Sequence, residues 1–355
     1  MNRLSKSFFY LLATVVTSTV AAQEVSTDKI QYKLSGRMLM DGGVFLKNEN
    51  NFDNGIEFSD LRVGVKATYR QWDMKVEIGY VGSKVSIKDA FATYTSGKHI
   101  LQVGQFYEPF TLDMLCSTFD LRFNQSPGVV LAMTNSRRLG VAYTYNSQHY
   151  YACGGFFTDN DISNVKNVSQ GYAIDGRFVY RPVNEAGRLL HVGLAGVYRT
   201  PDGEMPEDDN ARYQFKLGAE LLIYYRKFFL QSEYICTQVK RRDGFSDYTG
   251  QGGYVQCSWL LLGDEYAYDE ALACPARPIG RALELCGRFN SVDMNDRSAE
   301  ILGGAQKDIS LGLNYYINKH IGVKLNYSYV IPGSHIKEIS SKNFSILQAR
   351  FQFIL

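Results

Sequence analysis

ILQARFQFIL, residues 346–355, puts an apolar side chain at every second position: Leu347, Ala349, Phe351, Phe353 and Leu355. The residues between them, Ile346, Gln348, Arg350, Gln352 and Ile354, are mixed and carry a charge. Alternation with period two makes a β-strand whose two faces meet different media. An apolar outside and a wet inside suit a closed barrel in a membrane, where the last strand pairs with the first and no edge is left unsatisfied in lipid.

The same pattern recurs along the chain. LRVGVKATYR (61–70) sets Leu61, Val63, Val65, Ala67 and Tyr69 against Arg62, Lys66 and Arg70. WDMKVEIGY (72–80) opposes Trp72, Met74, Val76, Ile78 and Tyr80 to Asp73, Lys75 and Glu77. DISLGLNYYI (308–317) and IGVKLNYSYV (321–330) repeat it. Strands are expected to begin near residues 30, 56, 71, 87, 98, 138, 148, 170, 188, 211, 227, 248, 281, 306, 320 and 343. Many have the ~9–11 residues that cross a bilayer at a tilt. Short turns, such as Arg70-Gln71, Ser96-Gly97-Lys98, Asn146-Ser147, Tyr225-Arg226 and Asn318-Lys319, alternate with longer polar loops such as LKNENNFDNG and RTPDGEMPEDDNA. One rim of tight turns and one of long loops is the build of an outer-membrane barrel. The expected fold is all-β: a transmembrane antiparallel up-and-down barrel of about 16 strands. A soluble sandwich would also alternate, but would not combine this pattern with an export signal and aromatic strand ends.

That signal is MNRLSKSFFYLLATVVTSTVAAQ: Arg3 and Lys6, an apolar run from Phe8 to Val16, and small residues to Ala22. It reads as a cleaved signal peptide, residues 1–22, ahead of a barrel domain over 23–355. No later stretch reaches the ~18 apolar residues of a membrane helix. Without the signal the chain has 36 basic and 36 acidic groups, so only the placement of charge can speak about partners. Cysteines 116, 153, 236, 257, 274 and 286 show neither CxxC nor a zinc-type pairing with histidine. Cys236 and Cys257 could meet across a hairpin, but small apolar residues on strands is the simpler reading. Five histidines without GxSxG or HExxH give no support to a lipase or protease. No basic block or aromatic–basic module suggests nucleic acid. No cofactor or metal set is read from the chain.

Strand parity assigns to the wet face Arg37, Arg62, Lys66, Arg70, Lys75, Arg138 and Arg288, with Lys33, Arg177, Arg212, Lys216, Lys324 and Arg350. Against them stand Asp41, Asp73, Glu77, Asp175, Glu220, Glu233, Glu284 and Asp308. A modest positive excess in a narrow wet pore attracts anions, because low-dielectric walls focus the field. Arg62, Lys66 and Arg70, four residues apart, read as separate stepping stones roughly 13 Å from one another. Residues 107–136, YEPFTLDMLCSTFDLRFNQSPGVVLAMTNS, are too apolar for an exposed loop, and the barrel interior is where they can be buried.

GQFYEPFTLD (104–113), SRRLGV (136–141), SIKDAF (86–91), ELCGRFNSVDMND (284–296), LGLNYYINKHIGVKLNYSYV (311–330) and LQARFQFIL (347–355) resemble the phosphate-selective porin O and P family, over residues from about Gly36 to Leu355. The resemblance implies a trimeric 16-stranded outer-membrane channel that passes small anions, phosphate among them, along basic side chains. It implies that 107–136 is the third loop, folded inward, with Arg122, Arg137 and Arg138 nearest the narrowing. The terminal strand also resembles the signal read by the outer-membrane insertion machinery, with Leu355 where relatives carry Phe or Trp. Many relatives have lysine where Tyr107 stands and arginine where Phe119 aligns. Counting connections puts 263–281 on the short-turn side, where its length is anomalous and suggests a second segment folded into the barrel. Relatives carry a basic insertion there; here Asp264, Glu265, Asp269 and Glu270 face only Arg277 and Arg281. These departures remove positive charge where phosphate would dwell. They keep open a general diffusion porin for polar solutes and, as a further alternative, a non-conducting adhesin.

Overall fold

The structure, a computed structural model, describes residues 29–46, 52–82, 84–162, 171–200, 210–333 and 342–355. The expected signal peptide, residues 1–22, lies outside them, as do large parts of the loops quoted above. The strands are β1 (Gln31–Leu46), β2 (Gly55–Tyr69), β3 (Trp72–Val81), β4 (Lys84–Ser96), β5 (His99–Tyr107), β6 (Arg137–Asn146), β7 (Tyr150–Thr158), β8 (Tyr172–Glu185) and β9 (Arg188–Arg199). They continue with β10 (Ala211–Tyr225), β11 (Phe228–Arg241), β12 (Tyr248–Leu262), β13 (Tyr266–Asp269), β14 (Cys274–Pro278), β15 (Ala282–Asp296), β16 (Ile301–Tyr316), β17 (Ile321–Pro332) and β18 (Phe344–Ile354). Sixteen of them close one antiparallel barrel; β13 and β14 form a separate hairpin. Each of the sixteen expected strands is present. The seam is made by β18, which pairs with β1 from Arg37↔Ile354 to Leu46↔Ser345, so residues 346–355 leave no open edge.

The two-face reading holds in atomic detail. On β16, Ile309, Leu311 and Leu313 are 52, 58 and 40 % exposed on the outer face, while Ser310 and Asn314 are fully buried within. The cross-strand partners Leu285 and Leu325 lie on that same outer face. Apolar residues directed outward toward lipid and polar ones inward are what a water-filled membrane barrel requires. Strands reverse in two residues at Arg70-Gln71 and Arg226-Lys227, where Arg70 (φ 54°) and Arg226 (φ 52°) take the left-handed conformation.

The interior is not simply wet. Two short helices, α1 (Leu112–Leu115) and α2 (Gly128–Met133), lie on the long connection between β5 and β6. Val129, Val130 and Met133 pack with Phe106, Phe110 and Phe157 in one buried cluster. Leu112, Cys116 and Leu121 pack with Tyr266 and Cys274 of the β12–β15 connection against Leu189, Leu222, Phe229 and Leu260 of the wall. These last four point inward and are apolar, so that stretch of wall is designed to be covered by protein rather than water. The close docking of α2 is made possible by Gly252: a Cβ there would come within 2.8 Å of Val129 Cγ2 and 2.6 Å of Ser291 O.

Candidate pore constriction and its charges

The loop between β5 and β6 is held by lumen-facing side chains that bind its backbone. Glu233 accepts the amides of Leu112 (2.8 Å) and Asp113 (2.9 Å) at the start of α1. Lys216 Nζ donates to Met133 O at 2.8 Å, and Arg288 Nη1 to Gln125 O at 2.8 Å. Lys324 Nζ donates to Phe119 O and Leu121 O. Asn314 Nδ2 donates to Arg122 O at 2.8 Å, and Asn326 Oδ1 accepts the Asn124 amide at 2.8 Å. Hydrogen bonds to charged groups contribute roughly 1.5–3 kcal/mol each, so this cradle fixes the loop firmly.

The connection 263–281 enters from the opposite rim, as its anomalous length suggested. Arg177 donates to Leu272 O (2.8 Å) and Ala273 O (2.6 Å), and Arg181 Nη1 to Glu270 Oε2 (2.5 Å). Arg122 ties the two segments together: Nη2 donates to Ala276 O at 2.9 Å, and the guanidinium stacks 4.0 Å from the Phe229 ring centroid and meets Glu284 at 3.3 Å. Arg277 stacks in turn on the Phe119 ring at 4.4 Å. Phe119 and Arg122 are therefore buried fastenings of the loop.

A second group of charges lies on β1–β4 and at the start of β6, with Lys33 and Lys66 exposed, Lys75 and Lys88 half-buried, and Arg62 and Arg137 buried. Lys33, Lys66 and Lys75 stand directly opposite one another across β1, β2 and β3. One step toward the long-loop rim, Arg37 faces Arg62 and Arg62 faces Gly79. Lys88 occupies the space over Gly79, since a Cβ there would lie 2.7 Å from Lys88 Cε. The loop reaches this wall through Thr118, to which Arg37 Nη1 donates at 2.5 Å and which donates to Asp60 at 2.9 Å. Arg137 stacks on Tyr107 at 4.0 Å and pairs with Asp89 at 2.5 Å. The patch formed by Lys33, Arg37, Arg62, Lys66, Lys75, Lys88 and Arg137 holds three more charges than its carboxylates Asp60, Asp73, Glu77 and Asp89 neutralise. Lys33 and Lys88 have no carboxylate within ion-pairing distance among the described residues.

Several placements differ from the parity reading. Arg70 lies on the β2–β3 turn and is exposed there, because the alternation of β2 ends at Tyr69. Arg62 is no free stepping stone: it is clamped by Asp60 (2.5 Å) and Glu77 (2.9 Å) and is 8 % exposed. Lys66 pairs with Asp73 at 3.0 Å and Lys75 with Asp89 at 2.6 Å. Arg138 donates to Asp159 O at 2.5 Å. Arg212 is exposed beside a register irregularity between Ala211 and Tyr213. Lumen charges absent from the parity list include Asp60, Asp89, Glu108, Arg181 and Arg199, the last pairing with Glu108 and Asp159. Lys88 escaped it because a register shift between Glu77 and Ile78, opposite Asp89 and Ile87, turns it inward out of phase. Cys236 faces Gln251 and Cys257 faces Leu230, so the hairpin pair suggested for them does not meet.

A closed, 16-stranded antiparallel barrel with an apolar outer belt, a charged lumen and a loop folded into it is an outer-membrane porin. The family model for phosphate-selective porin O and P matches residues 33–215 and 203–355, and the chain belongs to that family. Porin O of Pseudomonas aeruginosa is 25 % identical over 90 % of this chain and 87 % of its own length. Among solved structures, an anion-selective porin from Comamonas acidovorans superposes with a TM-score of 0.67 at 13 % identity, covering 92 % of this chain and all of that one. The trimer form of OmpT, an outer-membrane protein of Vibrio cholerae, superposes with a TM-score of 0.63 at 10 % identity, over 92 % of this chain and all of that one. The protein is thus an outer-membrane channel protein rather than a soluble sandwich.

Proposed function

We propose that the mature chain, residues 23–355, is a passive channel favouring small anions, which pass between the inward loop and the wall formed by β1–β4. The observation that carries this reading is the excess of cations on that wall, where among the described residues Lys88, beside the clamped Arg62, and Lys33, one row nearer the short-turn rim, have no carboxylate within ion-pairing distance. A row of three opposed lysines leads away toward the short-turn rim. At ~0.15 M salt the Debye length is about 8 Å, so rows roughly 13 Å apart act in sequence, attracting an anion at each without trapping it. Other lumen cations serve differently: Arg177, Lys216, Lys324 and Arg350 are buried against loop carbonyls or carboxylates.

Phosphate can be among the anions carried, but the site does not favour it strongly over others. Tyr107 and Phe119 offer stacking surfaces to Arg137 and Arg277 instead of a second set of ammonium groups. Assembly as a homotrimer, with insertion through the C-terminal strand, fits the trimeric OmpT likeness and the terminal alternation. The deciding measurement is the zero-current potential of the purified protein in planar bilayers under a potassium chloride gradient, repeated with potassium phosphate. An anion-selective potential supports the reading; an ideal cation potential, or no conductance in a folded oligomer, removes it.

A further inference from the structure

Cys116 and Cys274 come from the two segments that fill the lumen from opposite rims. Cys116 ends α1, and Cys274 begins β14. Both are buried in one apolar cluster. Cys116 Sγ donates to Leu112 O at 3.1 Å, and Cys274 Sγ lies 3.9 Å from Leu115 O in the same helix. The two side chains adjoin, and all six cysteines are thiols in the structure. The others have different surroundings: Cys153 takes a hydrogen bond from Thr144 and Cys286 from Asn314, while Cys236 and Cys257 lie opposite Gln251 and Leu230.

We propose that in the exported protein Cys116 and Cys274 are joined by a disulfide that ties the constriction loop to the β13–β14 hairpin. The oxidant is a disulfide-bearing thiol oxidoreductase or a small disulfide of the oxidising compartment, the environment in which exported proteins keep such bonds. A Cys116 thiolate attacks one oxidant sulfur and expels the other as a thiolate. The Cys274 thiolate then attacks the Cys116 sulfur of the mixed disulfide and releases the second oxidant sulfur. The two cysteines lose two protons and two electrons, and the oxidant leaves reduced, as the dithiol of the oxidoreductase or as two thiols of the small disulfide.

The order of events follows from burial. Once the segments dock, desolvation holds the Cys116 thiol well above its ordinary range, and the nucleophile in exchange is the thiolate. The bond therefore forms before or during docking and is slow to be reduced afterwards. It makes a strut across the lumen between an element entering from each rim. The hairpin cannot then swing out without pulling on the loop, and the constriction keeps one width.

The test uses the full chain extracted from outer membranes with N-ethylmaleimide present, denatured and digested without reductant for mass spectrometry. The proposal expects the Cys116 and Cys274 peptides as one cross-linked species, separating after dithiothreitol, with Cys236 and Cys257 alkylated. Alkylation of both Cys116 and Cys274, or linkage of either to another cysteine, overturns it; this readout needs no variant and no conduction. The Cys116→Ser/Cys274→Ser protein, or either single variant if the double one fails to fold, should show several-fold larger open-channel current fluctuations. Unchanged fluctuations alongside a confirmed cross-link overturn the claim that the bond holds the constriction.

Discussion

Lys88 lies over Gly79, close enough that a methyl group on Gly79 would come within 2.7 Å of the lysine stem. The glycine thus makes room for an ammonium that strand parity alone would not send into the lumen. Its electrostatic neighbours are Arg62 and Arg137 with Asp60 and Glu77, and each of those arginines already has a carboxylate partner.

Lys88→Gln is therefore expected to weaken anion preference without unfolding the barrel. A unit charge about 5 Å from a passing ion in water, screened at physiological salt, contributes about 0.4 kcal/mol, roughly a twofold change in local anion concentration. The zero-current potential should move toward the cation side by the matching amount, and Lys88→Arg should retain the parent value. Gly79→Val should reproduce the glutamine effect by displacing the side chain. A Lys88→Gln protein with the parent potential would put the ion path elsewhere.

At the seam, Arg350 pairs with Asp41 through two hydrogen bonds of 2.6 Å, and the two residues face each other across β18 and β1. Removing one partner leaves a buried charge, typically a loss of about 3–5 kcal/mol. Asp41→Asn should lower the temperature at which the purified protein loses its folded mobility on an unheated gel. Selectivity should change little, because Arg350 is buried away from the accessible charges.

The barrel was legible because most strands repeat one rule over much of their length: an apolar residue outward, a polar one inward, over enough residues to cross a bilayer. What parity could not supply was anything depending on a phase change or on who covers the wall. Lys88 needed the irregularity opposite Glu77 and Ile78. Leu222, Phe229 and Leu260 read as lipid-facing types, yet line the lumen because the hairpin packs on them. Parity named Lys324 and Lys216 as lumen cations, but the sequence does not show that each donates to loop carbonyls. A carbonyl partner leaves no trace in side-chain composition.

The β2 strand separates these roles. Lys66→Gln should alter selectivity modestly, since its side chain is 47 % exposed beside Asp73. Arg62→Gln should instead destabilise, because it leaves Asp60 and Glu77 without their shared cation. Val65→Lys on the outer face should cost ~2–4 kcal/mol near the bilayer midplane. Urea-unfolding midpoints in lipid would rank the three; harmless Val65→Lys would mean that the two faces are exchanged.

The hairpin acids divide in the same way. Asp264 is almost wholly exposed, whereas Glu270 pairs with the buried Arg181. Asp264→Asn with Glu265→Gln should strengthen anion preference at the short-turn mouth. Glu270→Gln should chiefly loosen the hairpin, seen as added current noise. Equal effects from both changes would contradict this division.

Deleting residues 112–132 tests the constriction itself. The deletion takes away α1, most of α2, and the carbonyls of Phe119 and Leu121 that bind Lys324. It leaves the closed ladder of sixteen strands intact, since none of the removed residues pairs in the barrel. A folded, membrane-inserted protein with larger single-channel conductance and weaker ion selectivity is the expected outcome. The deletion also takes Leu112, Cys116 and Leu121 off the inward apolar patch of Leu189, Leu222, Phe229 and Leu260, leaving Tyr266 and Cys274 of the hairpin segment packed there. Fully burying such a side chain is worth about 1.5–3 kcal/mol, so heat resistance should fall even though the barrel still forms. Parent-like conductance in a folded deletion protein would mean that the loop does not border the ion path, and the wall of β1–β4 would lose its partner in the constriction.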